Sequence, residues 1–113
     1  MKIQLTEAQI EHQILSFLES KRIFAWKNPS AGYFDAKRKI FRKQASRFAI
    51  NGVSDIIALH KGQAIFIEVK SKVGKESIDQ KRFRENAQNS GCIAFVAKSV
   101  EDVYRYLNDK GIL

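Results

Sequence analysis

The sequence predicts an α/β fold, a mixed central β-sheet flanked by helices in the order αβββαβα, from three observations. Two apolar, β-branched runs within residues 51–70 flank the short polar break His60-Lys61-Gly62-Gln63, the signature of strand, Gly-containing turn and strand. A helical repeat, Ile10, Ile14, Phe17 and Leu18, precedes this hairpin. After it come a second capped helical stretch, a short apolar run from Cys92 to Ala97, and a last helical stretch.

The chain has 113 residues, which suits one domain over residues 1–113, and 44% are hydrophobic, enough for one modest core. Lys and Arg number 20 against 12 Asp and Glu, giving +8. Such a balance favours a polyanionic partner, nucleic acid first and an anionic membrane second. No apolar run reaches the roughly 18 residues of a spanning helix, so no membrane role is expected. Glu7 and Glu11 interrupt any signal-peptide core, and a single cysteine makes no intrachain disulfide. The chain reads as a soluble intracellular protein without repeats or linkers.

Thr6-Glu7-Ala8-Gln9 is a capping box, with Thr6 as N-cap of the first helix. At about 100° per residue, Glu7 falls between Ile14 and Leu18, and Glu11 beside Leu18. Both acids therefore lie on the apolar side, where a charge is costly unless paired or metal-bound. For Glu7, a first-turn acid also suits the helix dipole. Residues 23–27 read as a first strand, ended by Asn28-Pro29-Ser30. Tyr33-Phe34 and Lys39-Ile40-Phe41-Arg42 suggest a peripheral hairpin around Asp35-Ala36-Lys37-Arg38. After the central hairpin, Ser77-Ile78-Asp79-Gln80 is a second capping box, opening a helix to about Asn89 whose apolar face comprises Ile78, Phe83 and Ala87. Gly91 ends it, the run 92–97 is a buried strand, and Ser99 caps a last helix carrying Val100, Val103, Tyr104 and Leu107. Cys92 reads as a small core residue, and His12 and His60 as surface histidines.

A two-residue turn at Lys61-Gly62, or a four-residue loop closed by Leu59 and Ala64, sets Asp55 opposite Glu68, and alternation puts Glu68 and Lys70 on one face. Directly opposed positions have Cβ atoms about 4.5–5.5 Å apart, where like charges destabilise. Two facing carboxylates in an apolar hairpin need a reason. A divalent metal is one, since Mg²⁺ is commonly held by one or two carboxylates plus phosphate and water. A solvated sheet face, with Lys70 neutralising Glu68, is the other.

Gly52-Val53-Ser54-Asp55 followed by Glu68-Val69-Lys70 resembles the nuclease signature P-D…(D/E)-x-K, with Ser54 where proline often stands. More narrowly, the chain resembles a stand-alone VRR-NUC domain, the virus-type replication-repair nuclease branch. The likeness takes in residues 11–18, Phe-Ala-Trp-Lys-Asn-Pro at 24–29, the hairpin, Gln80, and residues 91–103. The resemblance implies a restriction-endonuclease-like core. It also implies a Mg²⁺- or Mn²⁺-dependent deoxyribonuclease, with Asp55, Glu68 and the backbone carbonyl of Val69 as metal ligands and Lys70 orienting or activating water. In similar nucleases a helix-1 glutamate about three turns before the first strand completes the cluster, and Glu11 fits that spacing better than Glu7. A glutamine in Gln80's place borders the active site in related nucleases, although Gln80 is also explained as the third residue of its capping box.

From Lys27 to Arg47 the basic residues are Lys27, Lys37, Arg38, Lys39, Arg42, Lys43 and Arg47, opposed only by Asp35. Trp26, Tyr33, Phe34, Phe41 and Phe48 are interleaved, most of them expected in core or loop packing. Such a run is ordinarily a solvated loop. Cations mixed with rings beside a phosphate-cleaving site read instead as a DNA-gripping segment, extended by Lys72, Lys75, Lys81, Arg82 and Arg84. Small stand-alone relatives resemble dimeric Holliday-junction resolvases. The expectation is thus a homodimeric endonuclease on four-way or other branched DNA, of bacterial or phage context. The alternatives are a flap or single-strand nuclease of the same family, a non-catalytic basic DNA-binding module, and, ranked lower, a sequence-specific restriction enzyme.

Overall fold

The computed structural model of the protein describes residues 4–29, 33–35, 40–42 and 47–113. The elements are α1 (Glu7–Ser20), β1 (Phe24–Lys27), β2 (Tyr33–Asp35), β3 (Ile40–Arg42), β4 (Ile56–His60), β5 (Gln63–Val69), α2 (Ile78–Asn89), β6 (Ile93–Ala97) and α3 (Val100–Asp109). The fold is α/β, with a four-stranded mixed sheet in the order β1-β4-β5-β6 and three helices. β2 and β3 form a separate two-stranded ladder, Tyr33 opposite Arg42. That is the expected peripheral hairpin, though Ala36, Lys37 and Arg38 of its turn lie outside the described residues.

The central hairpin has the expected register, His60 opposite Gln63 and Ile56 opposite Ile67. Its turn is Lys61-Gly62, with φ of 49° and 80°. Two left-handed residues make the type I′ turn whose twist matches antiparallel strands, and glycine takes that conformation without strain. His60 belongs to the end of β4 rather than to the turn. β1 runs antiparallel to β4, and β6 is parallel to β5 through the α2 crossover.

The core fills the sheet face under α1 and α3. Ile10, Ile14 and Leu18 of α1 meet Ile56, Ala58, Ile65, Ile67 and Val69, with Val103 and Leu107 of α3. Burying a side chain of this size contributes about 1.5–3 kcal/mol, so this layer anchors the strands. α2 covers the opposite face over β5 and β6, where Phe83 packs edge-on against Phe66 at 5.1 Å. Ile78, expected on the apolar face of α2, is instead 77% exposed. It lies about 200° round the helix from Gln80, and Gln80 faces the sheet. No described helix is long and apolar enough to cross a membrane.

Candidate active site

The site forms where β4 begins and β5 ends. Residues 52–55 lead into β4 as a tight loop. The Asn28 N–H donates to the Asp55 carbonyl at 2.7 Å, and its Nδ2 donates to the Ser54 carbonyl at 3.4 Å. Ser54 is buried. Asp55 accepts from the Val69 N–H through Oδ2 at 2.8 Å, which ties the loop to β5. The peptide joining Val69 and Lys70, whose carbonyl is the candidate ligand, is pinned by the Lys70 N–H to the Ala97 carbonyl at 3.0 Å.

Glu68 is 3% exposed, on the sheet face that α2 covers. Its Oε1 accepts from Gln80 Nε2 at 2.8 Å and lies 3.7 Å from Lys70 Nζ. Its Oε2 is buried with no hydrogen-bond partner among the described residues. Burial, then the neighbouring Asp55 carboxylate, push the Glu68 carboxyl up to about 8, against the opposing pull of Lys70. An unpartnered buried carboxylate oxygen costs free energy unless a proton or a cation meets it.

Gln80 closes its expected capping box and also contacts Glu68. Its N–H donates to the Ser77 hydroxyl oxygen at 3.2 Å, and its Oε1 accepts from the Ser77 N–H at 2.7 Å, closing the capping box. That leaves Nε2 for Glu68. One side chain therefore fixes the start of α2 and the rotamer of the buried acid.

The structure brings Asp55, Glu68, Lys70, Val69 and Gln80 together. It does not add Glu11. Glu11 pairs with Lys27 at 3.3 Å, and Lys27 stands opposite Ile56 on the α1 face of the sheet. Glu68 belongs to the α2 face, so the sheet separates the two acids. Glu7 reaches the loop after β5, where it accepts from the Ser71 N–H at 3.4 Å. Among the described residues no three of His, Cys, Asp and Glu gather as a metal-binding group. The two-carboxylate set, hard oxygen donors with one orphaned buried atom, still fits an ion such as Mg²⁺, which needs only one or two carboxylates when phosphate and water complete its shell.

Lys37, Arg38, Lys39 and Lys43 lie outside the described residues, and Arg42 ends β3. Lys27, Arg47, Lys72, Lys75 and Lys81 are exposed, as a phosphate contact requires. Arg84 departs from the expected basic surface. It donates to Glu76 at 2.6 and 3.3 Å and is half-buried, because it lies about 40° round α2 from the inward Gln80.

Sequence reasoning gave no role to Asn28 or to the packing of Gly52. Gly52 has φ of 82°, and a Cβ there would lie 2.4 Å from the Asp79 carbonyl and 2.6 Å from the Gln80 nitrogen. The loop that carries Asp55 thus seats directly on the first turn of α2. An Asn-Pro strand end was a usable signal for Asn28, whereas the approach at Gly52 depends on where α2 docks. No protein-family model matches the chain, and no curated protein does.

Proposed function

We propose that the protein is a metal-dependent DNA endonuclease, with a restriction-endonuclease-like core of the VRR-NUC type. The observation that carries this reading is the buried Glu68 carboxylate, facing Asp55, held by Gln80 and Lys70, with Oε2 unpartnered. An apolar hairpin retains such a group at a cost, and a divalent cation removes that cost. Asp55 and Glu68 would hold Mg²⁺ or Mn²⁺, with the Val69 carbonyl. Such an ion, when bound, supplies Lewis acidity toward a phosphate oxygen and lowers the pKa of water.

The chain's own residues do the rest. The Val69 N–H fixes Asp55, and Gln80 fixes Glu68, so both acids are preorganised. Lys70, with a side chain only 12% exposed, keeps its ammonium beside Glu68, where it orients water and offsets charge growing on the phosphate. Exposed Lys72, Lys75 and Lys81 follow the site in sequence and suit the DNA backbone.

Branched DNA, four-way junctions first, is the proposed substrate, cut by a homodimer whose two sites act on two strands. The test is cleavage of labelled four-way junction, flap, single-stranded and linear duplex DNA in Mg²⁺, Mn²⁺ or chelator, beside Glu68→Ala and Asp55→Ala. Paired, metal-dependent junction cuts that both variants lose, with DNA affinity kept, support the reading. Cuts in flaps or single strands alone keep the nuclease and discard the resolvase. Binding without cleavage in either metal leaves a non-catalytic DNA-binding module, a reading favoured by the lack, among the described residues, of a third acid beside the pair.

A further inference from the structure

Among the described elements, α2 alone packs on the sheet face that carries Glu68, and it covers half of that face. Trp26 stands opposite Ile57, which stands opposite Phe66, and Phe66 and Glu68 are two residues apart on β5. Phe24, Trp26 and Leu59 therefore share the α2 face with Glu68. α2 packs on β5 and β6 and leaves β1 and β4 open. Phe24 is 68% exposed, Leu59 44% and Trp26 38%. The Phe24 and Trp26 rings stand side by side, centroids 5.2 Å apart and tilted by 42°. Among the described residues β1 is the sheet edge, and a groove runs along it between α1 and these rings, lined also by His12, Ser16, Glu19 and Arg22.

We infer that Phe24 and Trp26 form a stacking platform for unpaired bases of the DNA strand that the Asp55–Glu68 site engages, an inference that rests on the nuclease reading for its substrate. Two adjacent exposed rings cost solubility and add nothing to the core, which lies on the other face. Aromatic rings flanked by cations are the usual means of holding single-stranded nucleic acid, because every base has a π-face. Arg22, exposed, lines the same groove, and exposed Lys21, whose ammonium lies over the Phe17 ring, precedes it, in a chain of net charge +8; Lys27 ends β1 on the other face, paired with Glu11. From Trp26 to Glu68 is two strand spacings across and one pleat repeat along, roughly 12 Å between backbones. A short run of nucleotides spans that distance. The strand beside the scissile phosphate is then unpaired, as at the branch of a flap or a splayed junction.

Trp26 is the only tryptophan in the chain, so its fluorescence reports on the platform without any mutation. Three probes are titrated in chelator: a short oligothymidylate, the same backbone with abasic sites, and a blunt duplex of matched length. Quenching by the oligothymidylate, with little from the abasic chain or the duplex, is the expected result. Phe24→Ala, read by the same quenching, and Trp26→Ala, read by the anisotropy of a labelled oligothymidylate, should each weaken binding about ten-fold. Equal quenching by the abasic chain overturns the platform in favour of phosphate contacts. No quenching, with Trp26 emission that shifts on protein dilution as sedimentation shows a dimer dissociating, assigns the patch to a second copy and also overturns it. Metal-dependent cleavage without base-dependent quenching sinks the platform alone. Base-dependent quenching without cleavage in Mg²⁺ or Mn²⁺ keeps the platform and sinks the nuclease.

Discussion

Gln80 Nε2 donates to Glu68 Oε1 at 2.8 Å while Gln80 Oε1 accepts the Ser77 N–H at 2.7 Å. A helix cap and the orientation of a buried acid thus depend on one amide. Gln80→Ala removes both and should lower stability by about 1–2 kcal/mol in urea unfolding. Gln80→Glu retains an acceptor for the Ser77 N–H but sets a third carboxylate against Glu68. It should unfold more easily than wild type in chelator and recover on adding Mn²⁺. Equal stability of all three proteins would detach Gln80 from the site.

Glu68 titrates near 8 in the folded chain against 4.5 for an ordinary glutamate, so the folded state keeps a proton that the unfolded state has released. The sign follows. In chelator, stability is greatest below about pH 4.5 as far as this group is concerned, and it falls as pH rises towards 8, by up to about 1.4 kcal/mol per pH unit. A divalent cation must displace that proton, so its affinity should rise with pH below 8 and its binding release about one proton. Calorimetry in two buffers of different ionisation enthalpy reads the proton directly, and Glu68→Gln should abolish the pH dependence.

Gly52 gives a separate handle on the same geometry. Any Cβ there meets the Asp79 and Gln80 backbone at 2.4–2.6 Å and adopts an unfavourable φ. Gly52→Ala should cost about 1–3 kcal/mol. It should also push the first turn of α2 from the Asp55 loop, reducing cleavage more than the loss of folded protein explains. Circular dichroism melts beside cleavage at low temperature separate the two effects.

Exposed and paired cations should behave differently towards salt. Lys81→Ala should weaken DNA binding on all sequences and lower the slope of log K against log salt by about 0.9. Arg84→Ala should leave that slope unchanged and destabilise the fold by about 1–2 kcal/mol, because Arg84 already holds Glu76. A drop in slope for Arg84→Ala would mean that the ion pair opens to DNA.

Local rules written in neighbouring residues determined the elements. Lys61-Gly62 set a turn, the turn set a register, and the register placed Asp55 opposite Glu68 without reference to anything distant. The two capping boxes fixed where α1 and α2 begin in the same way. The chain by itself therefore gave the element order, the facing acids and the basic balance. Tertiary structure decided what those acids meet. Glu11 looked available on the apolar side of its helix, but β1 presents Lys27 to it on the far side of the sheet from Glu68. Ile78 and Arg84 exchanged their expected places because docking, not apolar count, set which side of α2 faces inward. The seat of Gly52 on α2, the open rings of Phe24 and Trp26, and the orphaned Oε2 of Glu68 all arise from the angle and extent of one helix lying over half a sheet. That is a property of packing between residues far apart in the chain, and side-chain periodicity within one segment carries no record of it.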